Sequence, residues 1–509
     1  MAKGPAKSNR AKDYKLPGLF YNPVSMLGGV TALVSFCVIL FLLLLHAFRA
    51  QPSPYLGILA LIILPAVLLL GLVLIPIGMY LEHRRRIKGK RKPRSFYIDF
   101  GKPSHQRATV IFLAGSILFL LSTAVGSYQA YEFTESVTFC GQVCHKVMEP
   151  EFVAYQYSPH ARVTCAQCHV GAGAQWYVRS KLTGVYQVYA TLLDRFPRPI
   201  PTPIKNLRPA RETCEACHWP EKFHGSQERT FNHYMVNEEN SPWTIRMLIN
   251  TGGGSKEAGI AEGIHWHMNI ANEIDYIATD ARRQEIAWVR VKDHKGNVRE
   301  FFNEDNPLEP EELDKYETRR MDCIDCHNRP THIFLSPSRA LNYAFSAGRI
   351  DPTLPSAKRI AIEALIEEYP TKDSALVAIK EYILSAYESE YPEVLETRRH
   401  DVERLIAETR EIYRRNFFPE MGVRWDVYPD NIGHFVFPGC YRCHNGRFVS
   451  DDGRTISNAC NNCHVIVAQG PPGQEETSLT GLEFKHPVDI EEAWKEMACS
   501  ECHTGTSQL

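Results

Sequence analysis

The chain is predicted to combine a membrane anchor of three transmembrane α-helices with a larger domain of helices, irregular segments and few short strands. Three observations predict this fold class. Three long uncharged stretches lie in the first 128 residues, the first 107 residues are strongly basic, and 14 of the 15 cysteines occur in closely spaced pairs. A chain of 509 residues is also too long for a single core, so two or more structural units are expected.

The uncharged stretches cover residues 24–45, 55–81 and 108–128. About 20 consecutive apolar residues cross the hydrocarbon core of a bilayer as a helix, so each stretch is long enough to span. A cleaved signal peptide fits poorly, because its apolar part is normally much shorter than the first stretch. Residues 24–128 are therefore expected to form the anchor, preceded by a basic cytoplasmic N-terminus at residues 1–23.

The basic residues around these stretches predict an orientation. Residues 1–23 carry five lysines and arginines, residues 84–94 carry eight, and the loop between the first two stretches has only Arg49. Cytoplasmic loops are enriched in Lys and Arg, so the chain after about Tyr128 is expected on the periplasmic side of a bacterial inner membrane. The basic loop is expected to contact anionic lipid head groups, and the net charge of −1 argues against nucleic-acid binding.

Seven cysteine pairs are each followed directly by histidine. They are Cys140, Cys144 and His145; Cys165, Cys168 and His169; Cys214, Cys217 and His218; Cys323, Cys326 and His327; Cys440, Cys443 and His444; Cys460, Cys463 and His464; and Cys499, Cys502 and His503. C-x-x-C-H is typical of c-type haem attachment: the thiols bond to the porphyrin vinyl groups and the histidine ligates the iron. Zinc sites and disulfides do not require a histidine after every pair. We therefore expect seven covalently attached c-type haems, although the first motif has one additional residue between its cysteines.

Electron-transfer haems need a second axial ligand, usually His or Met. The candidates near the motifs are Met148, His160, His224, His265, His267, His332, His434 and His486, with His265 and His267 offered as alternatives by the sequence HWH. For His233, His294 and His400 a surface position is the better interpretation. The sequence does not pair a candidate with a particular motif.

The motifs divide the outer part of the chain into four segments. Residues 129–235 and 417–509 carry three motifs each, residues 236–355 carry the fourth, and residues 356–416 contain no cysteine. The cysteine-free segment has apolar residues at helical spacing and begins with Ser356 as a candidate N-cap, so we expect a helical insert that covers a haem or, alternatively, binds a partner. Residues 285–302 are expected to form a hairpin with its turn at Lys295–Gly296.

Residues from about 108 to 235 resemble the NapC/NirT family of membrane-anchored cytochromes. The resemblance is carried by FCGQVCHKVMEPE, by SPHARVTCAQCHV and by the KLTG that begins at Lys181. With RETCEACHWPEKF and MDCIDCHNRPTH, the whole chain is similar to the larger inner-membrane heptahaem cytochromes of metal-reducing bacteria, the ImcH type. Residues 129–235 would then be the NapC/NirT-like trihaem region.

The resemblance implies menaquinol oxidation at the outer membrane face, beside the first haem. It implies a quinone-binding role for Lys181 and iron ligation by Met148, which lies one residue further from its motif than in the usual family form. The acid that the family often places about two turns after the lysine is replaced here by Gln187 and Val188, with Asp194 further on.

Together with the haem motifs, the resemblance implies a quinol:cytochrome c oxidoreductase that passes electrons from menaquinol through its haems to periplasmic c-type cytochromes, in anaerobic or extracellular metal respiration. The alternative is a passive membrane-tethered relay, supplied with electrons by a separate quinol dehydrogenase. A terminal reductase is a weaker interpretation, because the histidines are sufficient to close the coordination of all seven irons.

Overall fold

The computed structural model describes residues 19–20, 22–47, 64–88, 101–143, 145–171, 173–204, 208–219, 223, 225–252, 263–268, 272–293 and 295–506. The chain divides into two compact units. The anchor unit comprises Met1–Ser136 and Ala172–Leu182, and the motif unit comprises Val137–Gly171 and Thr183–Leu509.

The anchor unit contains the three expected apolar helices, α1 (Pro23–Ala47), α2 (Leu64–Ile87) and α3 (Pro103–Thr134). Each is long and apolar enough to cross a membrane. Residues 55–63 of the second predicted stretch lie outside the described residues. Helix α3 extends beyond the predicted 108–128 at both ends, because Pro103 suits the first turn of a helix and polar residues continue it to Thr134.

Small residues bring α1 and α2 into close contact. A Cβ atom on Gly28 would lie 2.6 Å from the carbonyl oxygen of Gly71, and one on Gly71 would lie 2.7 Å from the backbone nitrogen of Ala32. The Ser25 hydroxyl donates to the carbonyl of Ile75 across the same interface, at 2.8 Å. Small residues and hydroxyl hydrogen bonds are the usual means by which membrane helices pack.

Large apolar side chains elsewhere on the three helices are exposed. Examples on α1, α2 and α3, each more than 60 % accessible, are Leu33, Leu69 and Phe119. A water-soluble surface rarely carries apolar exposure of this extent, whereas lipid tails would cover it.

The motif unit contains two antiparallel sheets. Their strands are β1 (Ser226–Tyr234), β2 (Pro242–Asn250), β3 (Glu273–Ala278), β4 (Ile286–Lys292), β5 (Val298–Asn303), β6 (Arg319–Arg320), β7 (Phe448–Val449), β8 (His464–Gly470) and β9 (Glu476–Leu482). The first sheet has the order β1-β2-β8-β9, and the second has the order β6-β3-β4-β5-β7. The predicted hairpin is confirmed as β4–β5, and Gly296 in its turn has φ +84°. The pairing of β2 with β8 was not predicted, since it joins residues more than 200 positions apart.

The helices of the motif unit follow in chain order. They are α4 (His145–Gln156), α5 (Cys165–His169), α6 (Ala174–Leu192, which begins in the anchor unit), α7 (Ala210–Cys214), α8 (Cys323–Cys326), α9 (Pro337–Ser346), α10 (Ala357–Ile366), α11 (Lys372–Glu390), α12 (Pro392–Thr397), α13 (Arg399–Asn416) and α14 (Cys499–Cys502). The remaining ordered turns are a π-helical turn at Phe139–Val143 and several short 3₁₀ segments.

The predicted helical insert corresponds to α10–α13 and forms an ordinary apolar core with α9. Leu365, Ile379 and Ile383 are fully buried there. Ser356 precedes α10 as predicted, but it has a left-handed backbone and its hydroxyl pairs with Tyr391 instead of capping the helix. The sequence predicted a domain with many irregular segments, so this extent of regular helical packing was not expected.

Candidate haem sites

The cysteine motifs form single helical turns. Motifs two, four and seven are the short helices α5, α8 and α14, and motifs five and six are 3₁₀ turns at Gly439–Arg442 and Cys460–Asn462. In four motifs the histidine N–H donates to the carbonyl of the first cysteine, at 2.7–3.0 Å, in His218, His327, His444 and His503. Residues three apart share one face of such a turn, so both thiols of a pair project to the same side.

The twelve cysteines of motifs two to seven carry free thiols. In the described part of the chain, no three or more His, Cys, Asp or Glu side chains are grouped as a metal-ion site would require. The thiols are thus available for bonds to a porphyrin.

Each of the last six motif histidines faces a second histidine from elsewhere in the motif unit. The ring centroids are 6.0 Å apart for His218 and His160, 6.3 Å for His169 and His332, 6.3 Å for His327 and His265, 5.8 Å for His444 and His267, 6.2 Å for His464 and His434, and 6.0 Å for His503 and His486. Both histidines of the HWH sequence, and not just one of them, face a motif histidine: His265 faces motif four and His267 faces motif five.

This separation fits one iron between two rings. Metal–nitrogen bonds are about 2 Å long, and each ring centre lies roughly another ångström behind its nitrogen, so opposed ligands have centres about 6 Å apart. Direct ring stacking would give many shorter separations, whereas all six fall between 5.8 and 6.3 Å. The residues present therefore fit six haem irons with two histidine ligands each.

Hydrogen bonds at Nδ1 orient most of the second histidines. Nδ1 lies 2.6 Å from the Thr251 carbonyl in His265, 2.7 Å from the Ile264 carbonyl in His267, 3.0 Å from the Glu151 carbonyl in His332 and 2.8 Å from the Val488 carbonyl in His486. A proton held at Nδ1 leaves the Nε2 lone pair for a metal, which is the usual arrangement of a metal-ligating histidine.

Burial favours the neutral form of these rings. Loss of contact with water lowers the pKa of seven of the twelve histidines, namely His169, His267, His327, His332, His434, His464 and His503. Neutral imidazole is the form that binds a metal, so burial keeps these side chains ready to act as ligands.

Several buried polar atoms near the motifs lack a hydrogen-bond partner. They include Nδ1 of His434, Nδ1 of His464 and Nε of Arg208. Arg208 is only 8 % exposed, and its charge acts on the thiols of Cys168 and Cys214. Unpaired buried polar atoms are costly, and a group with acidic oxygens, such as a haem propionate, would supply the missing acceptor for the arginine.

The motifs lie next to one another in the order of the sequence. The thiols of Cys140 and Cys165 are hydrogen-bonded, and so are those of Cys214 and Cys323. The other consecutive motifs have thiols close enough for their charges to interact: Cys168 with Cys214, Cys326 with Cys440, Cys463 with Cys440, and Cys499 with Cys460. The described cysteines of the seven motifs thus form one continuous series in the order of the sequence.

The first motif is described only in part. Cys144 and the side chain of His145 lie outside the described residues, as do His224 and His294. Met148 lies on α4, and its half-buried side chain packs against the apolar core of the insert. Lys372 of the insert also pairs with Glu149, at 2.7 Å, so the insert covers the helix that follows the first motif.

Lys181 lies on α6 and contacts the end of α3 within the anchor unit. Its ammonium forms an ion pair with Glu135, lies 3.4 Å from the Thr134 hydroxyl and sits 5.1 Å from the centre of the Tyr177 ring. The Glu135 side chain is 15 % exposed and that of Lys181 is 36 % exposed. The lysine is therefore held against α3 and is not directed freely towards solvent.

Three carboxylates near these sites could not be singled out from the sequence. Glu151 contacts the ring of His332 and pairs with Arg329, Asp325 is buried and accepts hydrogen bonds from Tyr276 and Arg319, and Glu135 pairs with Lys181. Only Asp325 had a local signal, since it lies inside a cysteine motif. The partners of the other two are 181 and 46 residues away in the chain.

Comparison with known proteins agrees with the cysteine motifs. Residues 102–199 match the N-terminal region of the NapC/NirT cytochrome c family. The cytochrome c-type protein ImcH of Geobacter sulfurreducens is 44 % identical over 496 residues, which cover 97 % of each chain. No solved structure shows significant similarity. Since the similarity extends over nearly the whole chain and includes the NapC/NirT region, the chain belongs to the ImcH-like c-type cytochromes of the NapC/NirT family.

Proposed function

We propose that this cytochrome oxidises menaquinol at the outer face of the bacterial inner membrane and passes electrons through seven c-type haems to a periplasmic c-type cytochrome. The six histidine pairs are the observation that carries the proposal. They give motifs two to seven two nitrogen ligands per iron, which suits electron transfer and leaves these six irons without an open position for a substrate.

Each haem would supply a site that gains and loses one electron. The thiols would fix it covalently, the motif histidine and its partner would ligate the iron, and the Nδ1 hydrogen bonds would hold the partner ring in place. For the first motif, His145 and Met148 remain the proposed ligands.

The order of the motifs supports a relay from the membrane outwards. The first motif follows α3 directly in the chain, and each later motif lies beside the one before it. With α1–α3 in the bilayer and the motif unit in the periplasm, electrons would enter at the first motif and leave near the seventh.

The quinol site is proposed at Lys181. A fixed ammonium beside the end of a membrane helix can donate a hydrogen bond to a quinol oxygen. The test is the reduction of the purified full-length chain by menadiol, followed in the visible spectrum. Lys181→Ala should abolish this reduction while dithionite still reduces every haem.

Lys485→Ala is the matched control, since Lys485 also forms a Lys–Glu pair but belongs to the motif unit. It should leave reduction by menadiol unchanged. A native chain that dithionite reduces but menadiol does not would overturn quinol oxidation in favour of a passive relay. Normal menadiol turnover in Lys181→Ala would overturn the site.

A further inference from the structure

The end of α3 presents a carboxylate to Lys181. Glu135 is the residue that follows α3, and its backbone N–H donates back to carbonyls in the last turn of the helix. The side chain is largely shielded and forms an ion pair with the lysine. This acid comes from a different helix than the lysine, so no motif around Lys181 indicates it.

The position is electrostatically unfavourable for a carboxylate without a cation beside it. The C-terminal end of a helix carries partial negative charge, and a negative side chain there is destabilised by repulsion. Lys181 offsets this repulsion. The pair therefore places a donor and a basic oxygen side by side at the outer end of a helix that is apolar over most of its length.

Both of these groups would assist quinol oxidation. A quinol must lose two protons along with its two electrons, and a hydroxyl loses its proton more easily when a positioned base accepts it. The segment after Lys181 offers only Gln187 and Val188 where an acid was expected, while Asp194 is exposed and paired with Arg198. Among the described residues, Glu135 is the carboxylate that contacts Lys181.

We propose that Glu135 is the proton acceptor of the quinol site and that Lys181 is its hydrogen-bond donor. This inference rests on the proposed quinol oxidation. One quinol hydroxyl gives its proton to the Glu135 carboxylate, which then releases it to periplasmic water, and the other hydroxyl gives its proton to water. The two electrons leave one at a time for ferric c-type haem, and the products are quinone, two protons and two reduced irons.

Chain connectivity keeps the acceptor near the first haem-attachment site. Glu135 lies five residues before Cys140. Because a chain extends by at most about 3.6 Å per residue, the two residues are within about 18 Å of each other in any conformation.

The test compares Glu135→Gln with Glu132→Gln in the full-length chain. The amide keeps the size and hydrogen-bonding capacity of Glu135 but cannot accept the proton. We expect kcat for menadiol oxidation to fall about 100-fold, with KM changed little. Glu132 lies one turn earlier on α3, where it accepts a hydrogen bond from Tyr128, and its variant should react like the native chain. Glu135→Asp should recover at least a tenth of the native kcat.

Two further measurements separate chemistry from structure. Binding of menadione, measured by equilibrium dialysis of the detergent-solubilised chain, should persist in Glu135→Gln and be lost in Lys181→Ala. The dithionite-reduced spectrum should be native in both variants. Native kcat in Glu135→Gln together with loss of activity in Lys181→Ala would show that Glu135 is not the proton acceptor. The quinol site at Lys181 would still stand. Native activity in both variants would overturn the quinol site itself.

Discussion

At the scale of single residues, the histidine pairs make a specific spectroscopic prediction. His332→Ala removes the ring that faces His169 and would leave the proposed iron between them with one strong protein ligand. One of the seven proposed haems should change from low-spin to high-spin, because the sixth ligand sets the spin state. Visible absorption and electron paramagnetic resonance would detect the change.

His400→Ala is the control for this variant. His400 lies exposed on α13 and faces none of the six motif histidines whose side chains the structure describes, so its removal should leave all the proposed haems low-spin. A native spectrum in His332→Ala would contradict the assignment of His332 to the second motif.

A buried lysine predicts an unusual dependence of stability on pH. Lys358 is 3 % exposed, its ammonium contacts Tyr234 and Asn342 through oxygen atoms, and burial lowers its pKa to about 7. No carboxylate in the described ranges pairs with it. The nearby titratable groups are His233, whose pKa burial lowers to about 4 with a contribution from Lys358, and His503.

The folded chain therefore binds fewer protons at Lys358 than the unfolded chain between about pH 7 and pH 10. The free energy of unfolding should rise with pH in this range, by at most about 1.4 kcal/mol per unit. Thermal melting of the full-length chain would show this rise. Lys358→Met should be more stable near pH 7 and lose the dependence, whereas Lys295→Met, at an exposed turn, should retain it. If stability rose equally with pH in the native chain and in Lys358→Met, the buried Lys358 ammonium would not be the cause of the dependence.

At the scale of elements, the contact between α1 and α2 depends on glycine. A side chain on Gly71 would strike the backbone of Ala32, which cannot move unless the helices separate. Gly71→Leu should destabilise the anchor by about 1–3 kcal/mol, as overpacking usually does. The measurement is the melting temperature and monodispersity of the detergent-solubilised chain.

Gly115→Leu on α3 is the matched control. A Cβ atom at Gly115 meets nothing within 4 Å, so the larger side chain should be tolerated. If both variants lost stability equally, the added hydrophobic bulk itself, and not the α1–α2 contact, would explain the loss.

The elements also show which parts of the fold a sequence can predict. Three apolar helices, the helices of the insert and the β4–β5 hairpin were predicted, because each depends on periodicity or turn residues within one short segment. The pairing of β2 with β8 was not, since its strands are far apart in the chain. The same distinction applies to the candidate haem sites. The motifs predict the thiols and the motif histidines, because these lie within one short segment. Which second histidine faces each motif histidine, and which carboxylate faces Lys181, depends on long-range packing.

At the scale of the whole molecule, the long-range histidines tie the series of motifs together. His332 follows the fourth motif and faces the second, His160 precedes the second and faces the third, and the sequence around Trp266 supplies partners to two consecutive motifs. The proposed haems of motifs two to five would therefore each be held by two parts of the chain more than 50 residues apart. Such an arrangement makes haem attachment and folding of the motif unit mutually dependent.

The order of the motifs predicts what happens when the series is interrupted. Replacing both cysteines of the fourth motif, Cys323→Ala with Cys326→Ala, removes the site that joins the first three to the last three. Menadiol should then reduce only the first three haems rapidly, about half of the six that remain, whereas dithionite should reduce all six. The fraction reduced is read from the visible spectrum of dilute protein, where exchange between molecules is slow.

Replacing the cysteines of the seventh motif, Cys499→Ala with Cys502→Ala, provides the comparison. This variant also has six haems, but its loss is at the end of the series, so menadiol should still reduce all six. It should instead transfer electrons poorly to a soluble c-type cytochrome, because the exit site is missing. If menadiol reduced all six haems as fast in the fourth-motif variant as in the seventh-motif variant, electrons would have a route that bypasses the fourth site, and a series in sequence order would be wrong.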